Sequence, residues 1–223
     1  MTEIEIYNSD RCFRVPASLT NVTALATRHT FAKAESIPVL ADKLWLIEQG
    51  IARTLTFTED GSVTGLGYWG KGDVMGQPLS NLAVYQIECV TPVEARLLSR
   101  SEWPHHLDAI CRNAQQKAHQ LSFLGQKQVS QRLVYLLNWL GDRFGKQVSE
   151  GLLIDMPLSH DTLSEMVGAT RVTVTHYLGE FKNQGALIKR RCQIVLLKDL
   201  NQLNLQAISP HLSNRQRSTR KAA

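Results

Sequence analysis

The sequence predicts an α+β protein with an N-terminal antiparallel β-roll, a long dimerisation helix and a C-terminal winged helix-turn-helix. Three observations predict this order. Short alternations of apolar and polar residues, broken by glycine, run from Phe31 to Leu98. A proline-free segment with helical apolar spacing follows, from His105 to about Arg143. Two short helical segments and two short strands come last, and 223 residues suffice for two small domains.

The β-type segment is typical of a small antiparallel barrel or jelly roll. The tetrapeptide "TEDG" predicts a hairpin turn, and glycines punctuate the other strand ends, at Gly50, Gly70, Gly72 and Gly76. "YQIECVTPVEARLLS" predicts two further strands on either side of Thr91-Pro92. We assign residues 1–103 to this β-roll domain.

The predicted helix over residues 104–127 carries a narrow apolar seam near heptad spacing. Its members are Leu107, Ile110, Ala114, Leu121 and Leu124. The pattern continues with a one-residue shift at Val129, Leu133, Leu136 and Leu140. Gly125 stands at the shift and predicts a bend or a break between two helices. A polar helix with such a seam pairs with a copy of itself, so we expect a homodimer. The open alternative is that the helix packs on its own barrel.

Residues 128–199 predict a winged helix-turn-helix DNA-binding domain. Ser159 can cap the helix "HDTLSEMV", which ends at Gly168, and Thr170 can cap the next helix. "ALIKRRCQIVLL" predicts two short strands around a basic turn, the wing. Residues 200–223 form a basic C-terminal tail that we expect to be mobile.

The second of these helices has an outer face that fits a DNA major groove. At about 100° per residue, Val172 and His176 lie nearly opposite the packed Val174. Short or small residues flank them, namely Thr173, Thr175 and Gly179. A groove admits such a face, and an outward Val or a Thr methyl group can touch a thymine methyl group. Arg171, at the helix N-terminus, can bind guanine O6 and N7 or a phosphate.

Composition limits the other classes of function. Residues 1–150 contain 15 Lys and Arg against 15 Asp and Glu, and residues 151–223 contain 10 against 5, so the net charge of +5 lies entirely in the last third. Four cysteines without a CxxC pair argue against an iron–sulfur cluster or structural zinc and for a reducing cytosol. The N-terminus has no apolar signal core, and no apolar run approaches the roughly 20 residues of a membrane span. We therefore expect a cytoplasmic protein with no membrane partner.

"LSHDTLSEMVGATRVTVTHYLGEFKNQGALI" resembles the helix-turn-helix of the CRP/FNR superfamily of bacterial transcription factors. "LWLIEQGIARTLTFTEDG" and "GKGDVMGQPL" resemble that family's cyclic-nucleotide-binding β-roll, and the likeness covers roughly residues 30–200. "TRVTVT" and "TPVE" are most similar to the cyanobacterial branch that includes the global nitrogen regulator. The resemblance implies a homodimeric regulator, not an enzyme, that binds two-fold symmetric sites in double-stranded DNA and contacts RNA polymerase.

The resemblance also implies which residues bind DNA: Ser159, Thr170, Arg171, Val172, Thr173, Thr175, His176, Lys189 and Arg190. Of these, Arg171, Val172 and His176 would read base edges. His176 departs from the family, which usually has Arg there, and a neutral imidazole lacks the two-pronged contact of Arg with guanine. We therefore hypothesise that His176 makes DNA binding weaker and sensitive to pH.

Effector-binding residues implied by the resemblance are Gly76, Gln77, Leu79 and Lys127. Family members that bind cyclic nucleotides have Gly-Glu in place of Gly76-Gln77, and no basic residue follows here before Arg96, which argues against cAMP. The nitrogen-regulator branch binds 2-oxoglutarate through two basic residues. Ala83 or a neighbour occupies the place of one, and Lys127 corresponds to the other. 2-Oxoglutarate stays open as the effector, and no cofactor is predicted.

Two other functions compete with this interpretation. A cupin-type enzyme needs two or three His on its strands to hold a metal, and none of the seven His lies between Phe31 and Trp103. A ligand-sensing or protein-interaction module with degenerate DNA binding is favoured by His176 and opposed by Arg171 and the basic wing. A steep salt dependence of binding to duplex DNA would separate a regulator from such a module.

Overall fold

A computed structural model describes residues 4–8, 11–15, 28–58, 61 and 63–205 of the chain. The strands are β1 (Ile4–Asn8), β2 (Arg11–Val15), β3 (Arg28–Phe31), β4 (Ser36–Ile37), β5 (Leu44–Gln49), β6 (Ala52–Phe57), β7 (Val63–Trp69), β8 (Val74–Met75), β9 (Gln86–Cys89), β10 (Val93–Leu98), β11 (Gly145–Val148), β12 (Gly151–Ile154), β13 (Leu187–Arg190) and β14 (Gln193–Leu196). The helices are α1 (Leu107–Leu124), α2 (Val129–Phe144), α3 (His160–Val167) and α4 (Arg171–Asn183). Two compact units, Met1–Ala118 and His119–Ala223, divide within α1.

The first unit contains two four-stranded antiparallel sheets, with strand orders β3-β10-β5-β8 and β4-β9-β6-β7. Inward side chains of both sheets form one core, in which Trp45, Ile47, Trp69 and Ile87 are almost completely buried. The predicted antiparallel β-roll is therefore confirmed. A further antiparallel pair, β1 and β2, precedes it. Sequence analysis missed this pair, although "IEIYN" and "RCFRV" contain Ile, Tyr, Phe and Val, which favour strands.

Turn residues fix the ends of the strands in this unit. Gly50, between β5 and β6, has φ +87°, and a Cβ atom there would lie 2.0 Å from the carbonyl oxygen of Pro92. Only glycine fits such a conformation and such a close approach. β6 and β7 form the predicted hairpin, with Phe57 opposite Val63. Residues 59 and 60 of the "TEDG" turn lie outside the described residues.

One side of α1 packs against the first sheet and the other side is exposed. Ala109 is buried with Leu44 and Leu98, and Ile110 packs partly buried against the same cluster. Ile110, predicted on the dimer seam, therefore belongs to the core of its own chain, and Leu124 is half-buried. The exposed apolar residues of α1, with alanine and cysteine counted among them, are Leu107, Cys111, Ala114, Ala118 and Leu121. We call this set the α1 seam. Its spacing alternates between four and three residues, as a strict coiled-coil seam requires.

In the second unit, three helices pack with a four-stranded antiparallel sheet of order β11-β12-β14-β13. Its core includes fully buried leucines of α2 at Leu133, Leu136, Leu137 and Leu140. The expected break at Gly125 is confirmed, because α1 ends at Leu124 and α2 begins at Val129. The β11–β12 hairpin was not predicted, although "KQVSEGLLI" has a turn between two alternating runs.

The first residues of the predicted C-terminal tail are packed rather than mobile. Leu200–Gln202 form a 3-10 helix that begins at Asp199, whose carboxylate accepts a hydrogen bond from Asn201 N at 2.9 Å. Leu200 is fully buried and Leu203 is 8% exposed. The expectation of a mobile tail is wrong for residues 200–205, because these two leucines complete the core. Residues 206–223 lie outside the described residues.

Candidate nucleic-acid interface

Helices α3 and α4 begin at the predicted capping residues. The Ser159 hydroxyl accepts a hydrogen bond from Thr162 N at 2.9 Å. The Thr170 hydroxyl accepts one from Thr173 N at 3.2 Å. Gly168 ends α3 with the left-handed φ of 60°. Each cap satisfies one backbone N–H group and leaves the neighbouring groups at the helix N-terminus open to an anion.

The two faces of α4 differ as predicted. Val174, Leu178 and Phe181 are buried in the domain core. On the opposite face Val172 is 66% exposed, and a Cβ atom added at Gly179 would meet nothing within 4 Å. Arg171 and Thr175 are also exposed, whereas Thr173 is half-buried. We call Arg171, Val172, Thr175 and Gly179 the outer strip of α4.

His176 lies beside this strip but does not stand outward as the helical periodicity suggests. Its ring lies 5.3 Å from the ring of Tyr177, at a tilted angle. Its Nε2 atom is buried and has no hydrogen-bond partner in the part of the chain that the structure describes. Periodicity gives the direction of a Cβ atom but does not fix the rotamer that places the imidazole. His176 is therefore half-buried, although helical periodicity places it nearly opposite Val174.

Arg171 forms an ion pair with Asp161, the second residue of α3. Arg171 Nε lies 3.5 Å from Asp161 Oδ1, and the side chains are 68% and 60% exposed. An ion pair exposed to this extent is worth at most about 1 kcal/mol. Asp161 therefore holds the guanidinium group weakly, and a stronger acceptor can displace it.

The hydroxyl group of Thr175 makes its polar contacts within the protein, which leaves the methyl group for contact with DNA. Its hydroxyl donates to the carbonyl oxygen of Arg171 at 2.8 Å and lies 2.6 Å from Nδ1 of His160. Both polar contacts of the side chain are therefore made within the protein. The methyl group can touch a thymine methyl group in a major groove.

The wing consists of β13 and β14, which pair from Leu187–Leu196 to Arg190–Gln193. Arg190 donates to Glu150 at 2.7 Å. A hydrogen bond from Ser149, together with Arg190, lowers the pKa of Glu150 to about 2. Burial lowers the pKa of the half-buried Lys189, and the charge of Arg171 contributes in the same direction. The positive charges of Lys189 and Arg171 therefore act on one another.

Comparisons with known proteins agree with this geometry. The sequence matches the Crp-like helix-turn-helix domain over residues 131–205. "Regulatory protein CysR" from Synechococcus elongatus is 37% identical over 157 residues, which are 69% of this chain and 76% of that protein. The chain belongs to the CRP/FNR family of transcriptional regulators. The prediction of a DNA-binding transcriptional regulator is thereby confirmed.

A second sequence relative matches over a shorter segment, and solved structures at lower identity share the fold. The global nitrogen regulator of Nostoc sp. is 35% identical over 75 residues, 34% of each chain. A CRP-family transcriptional regulator from Thermus thermophilus superposes with a TM-score of 0.67 at 19% identity, covering 76% of this chain and 92% of that one. FixK2 from Bradyrhizobium japonicum has a TM-score of 0.65 at 21% identity, with coverages of 82% and 97%.

The predicted effector residues of this CRP/FNR regulator fall in both units. Gly76 precedes the 3-10 helix Gln77–Leu79 and has φ 150°. A Cβ atom added at Gly76 would lie 2.8 Å from the carbonyl oxygen of Lys43, which is too close. The Gln77 amide donates to the carbonyl oxygens of Ser80 and Leu82, at 3.1 and 3.0 Å. Lys127 is exposed and lies in the segment between α1 and α2, in the second unit.

Four side chains of α1 donate hydrogen bonds to residues 72–79, and sequence analysis missed them. These are Arg112 to Gly72 O (3.0 Å), Asn113 to Val74 O (2.9 Å), Gln116 to Asp73 Oδ1 (3.3 Å) and Lys117 to Leu79 O (2.6 Å). The half-buried Lys117 brings a cation to the loop that has no basic residue of its own. The polar residues at 112, 113, 116 and 117 share one helix face, so their spacing could have predicted a polar contact on this side of α1.

Three further residues next to the DNA-binding candidates were also missed. Asp161 pairs with Arg171, Glu150 pairs with Arg190, and His160 contacts Thr175. No local pattern marks them, because their partners lie 10 to 40 residues away.

No described helix is long and apolar enough to span a lipid bilayer.

Proposed function

We propose that this CRP/FNR regulator acts as a homodimer that places α4 of each copy in the major groove of a two-fold symmetric duplex. The observation that carries the proposal is the outer strip of α4, which is exposed and free of long side chains apart from Arg171, a residue whose charge acts on Lys189 of the wing. A major groove admits such a helix, and the adjacent cations favour a polyanion. Two copies would need their helices about 34–36 Å apart, one turn of duplex.

Each group in the interface has a role that follows from its chemistry. Arg171 and Val172 would read base edges, by a two-pronged guanine contact and a thymine-methyl contact. Phosphates would be held by hydroxyl groups and N–H groups at the helix N-termini, with the wing cations adding charge. The residues proposed to hold phosphates are Ser159, Thr170, Thr173, Lys189 and Arg190. Thr175 and His176 would contribute their apolar atoms.

A salt titration tests DNA binding directly. Genomic fragments bound by the wild-type protein give the operator, and its dissociation constant is then measured by fluorescence anisotropy at increasing salt. Affinity should fall steeply, since phosphate contacts release counterions. Arg171→Ala should weaken operator binding and relax one base preference, with a cost of about 1–3 kcal/mol per site. Lys182→Ala, at the other end of α4, is the matched control. Salt-independent binding, or no binding at low ionic strength, contradicts the proposal.

The α1 seam supports the second copy as its partner. Leu107 and Leu121 are 58% and 72% exposed although they are large apolar side chains. In a parallel two-stranded coil, seam residues face their own counterparts, so Cys111 would meet Cys111 of the second copy at a separation that a disulfide spans. We expect mild oxidation by oxygen and copper to cross-link the dimer. Cys111→Ser should abolish the cross-link, whereas Cys192→Ser should keep it, although Cys192 is the other exposed cysteine among the side chains that the structure describes. A monomer in sedimentation at micromolar concentration contradicts the proposal.

We also propose that the first unit does not take cAMP and that Lys117 supplies the charge for any anionic effector. Gln77 has its amide engaged within the loop, and Lys117 is the cation that reaches Leu79. Calorimetric titration with 2-oxoglutarate and with cAMP tests both points. Binding of 2-oxoglutarate that is lost in Lys117→Met supports the role of Lys117, and binding of cAMP contradicts the first point.

Regulation would follow from promoter binding in the cytoplasm, by recruiting or blocking RNA polymerase. In vitro transcription from a bound promoter, with and without the dimer, tests this step. An unchanged transcript level would contradict it.

A further inference from the structure

His160 is the first residue of α3 and contacts the outer strip of α4. Its Nδ1 atom lies 2.6 Å from the Thr175 hydroxyl oxygen. That hydroxyl already donates its single proton to the carbonyl oxygen of Arg171, at 2.8 Å. The proton between His160 and Thr175 therefore belongs to the ring, and Nδ1 is the donor. In the neutral ring, Nε2 then carries the lone pair.

The surroundings of the ring oppose a second proton in the free protein. Nε2 is buried and has no hydrogen-bond partner among the described residues. Burial lowers the pKa of His160 from its ordinary 6.5, the charges of Lys189 from β13 and Arg171 from α4 lower it further, and Asp161 of α3 opposes them. Within the described part of the chain, these are the charged groups that act on the ring from the elements around it. The imidazole is therefore neutral near pH 7 when no DNA is bound.

We propose that His160 is a proton-coupled positioning residue of the DNA interface: it holds Thr175 when neutral and takes up a proton when duplex phosphates approach Arg171 and Lys189. This inference rests on the proposed function, since it requires DNA on the outer strip. Phosphates neutralise the two cations that disfavour imidazolium and add a negative potential around the ring. A proton bound more tightly in the complex than in the free protein makes the complex tighter as pH falls.

The sign and size of the effect follow from linkage. Between the pKa of free His160 and its higher value in the complex, binding takes up as much as one proton per protomer. Affinity therefore rises by at most about tenfold per pH unit for each protomer within that window. Above the window His160 is neutral in both states, and the pH dependence from this residue ends. The pH sensitivity proposed here belongs to His160, which contacts Thr175 of the outer strip.

The test measures operator affinity from about pH 5.5 to 8, the range in which histidine titrates. Calorimetry in two buffers of different ionisation enthalpy counts the protons taken up. His160→Asn keeps a donor near Nδ1 for Thr175 and cannot titrate, so it should bind DNA with the proton uptake reduced. His105→Asn, which removes an exposed histidine of the first unit outside the DNA interface, is the matched control and should leave the uptake unchanged. In the wild-type protein, the NMR signal of the His160 ring should titrate at higher pH with duplex than without.

The outcomes separate this inference from the proposed function. If the wild-type protein does not bind duplex DNA with a steep salt dependence, the proposed function fails. If it binds, and His160→Asn takes up as many protons as the wild type, the role of His160 is overturned. A His160 ring that titrates identically with and without duplex overturns it as well, without reliance on any variant.

Discussion

Asp161→Asn should tighten operator binding, because it releases Arg171 from a competing carboxylate. The Arg171–Asp161 pair has a separation of 3.5 Å, with side chains 68% and 60% exposed. Pairs of this kind contribute about 0.2–1 kcal/mol, and a dimer contains two of them. The gain should therefore be about 0.4–2 kcal/mol per dimer, or roughly two- to thirtyfold in the dissociation constant.

The assay is a double-mutant cycle measured by fluorescence anisotropy on one operator duplex at fixed salt. It combines Asp161→Asn with Arg171→Ala, at about pH 8 so that His160 stays neutral throughout. Glu165→Gln removes one negative charge from the same helix and serves as the control for general electrostatics. Urea denaturation checks stability, since Asp161 in the first turn of α3 favours the helix by about 0.3–1 kcal/mol.

The cycle distinguishes release of Arg171 from a general change in charge. If Asp161 acts through Arg171, its substitution should have little effect once Arg171 is alanine. An equal gain in the Arg171→Ala background, or an equal gain from Glu165→Gln, would refute the reasoning from the ion pair.

Three further predictions concern stability and titration. Thr170→Ala removes the cap of α4 and should lower the free energy of unfolding by about 1 kcal/mol in urea denaturation, whereas Thr170→Ser should retain most of it. Gly76→Ala places a methyl group against the Lys43 carbonyl at a positive φ and should cost about 1–3 kcal/mol in the same measurement, and an unchanged midpoint contradicts the assigned backbone. Glu150 has a folded pKa of about 2 against an ordinary value of 4.5, so the stability it contributes is present above pH 4.5 and is lost as pH falls towards 2. In Arg190→Gln the Glu150 carboxyl should titrate at higher pH by NMR, and an unshifted titration would show that Arg190 does not hold it.

The order of elements could be predicted because each has a local cause. Ser159, Thr170 and Gly168 mark helix ends through their own hydrogen bonds and backbone angles, which involve neighbours in the chain. Alternation of apolar residues marks strands such as β5 and β6 for the same reason. The outer face of α4 followed from helical periodicity and the burial of Val174, Leu178 and Phe181.

The details of the site could not be predicted in this way. The sequence around Leu200 is that of a polar tail, and only the packed domain shows that Leu200 is buried. Ile110 fits the seam by spacing, yet it packs against the first sheet. The spacing of polar residues on α1 suggested a contact face, but it could not identify Leu79 O as the acceptor for Lys117.

By itself the sequence determined that this chain is a β-roll joined to a winged helix-turn-helix, because capping, periodicity and turn chemistry are interactions between near neighbours. Tertiary structure alone decided which of those residues are engaged. Asp161 pairs with Arg171, and the ring of His160 contacts the hydroxyl group of Thr175. Those partners depend on how α3 packs against α4 and which rotamers that packing permits, so a one-dimensional pattern does not contain them.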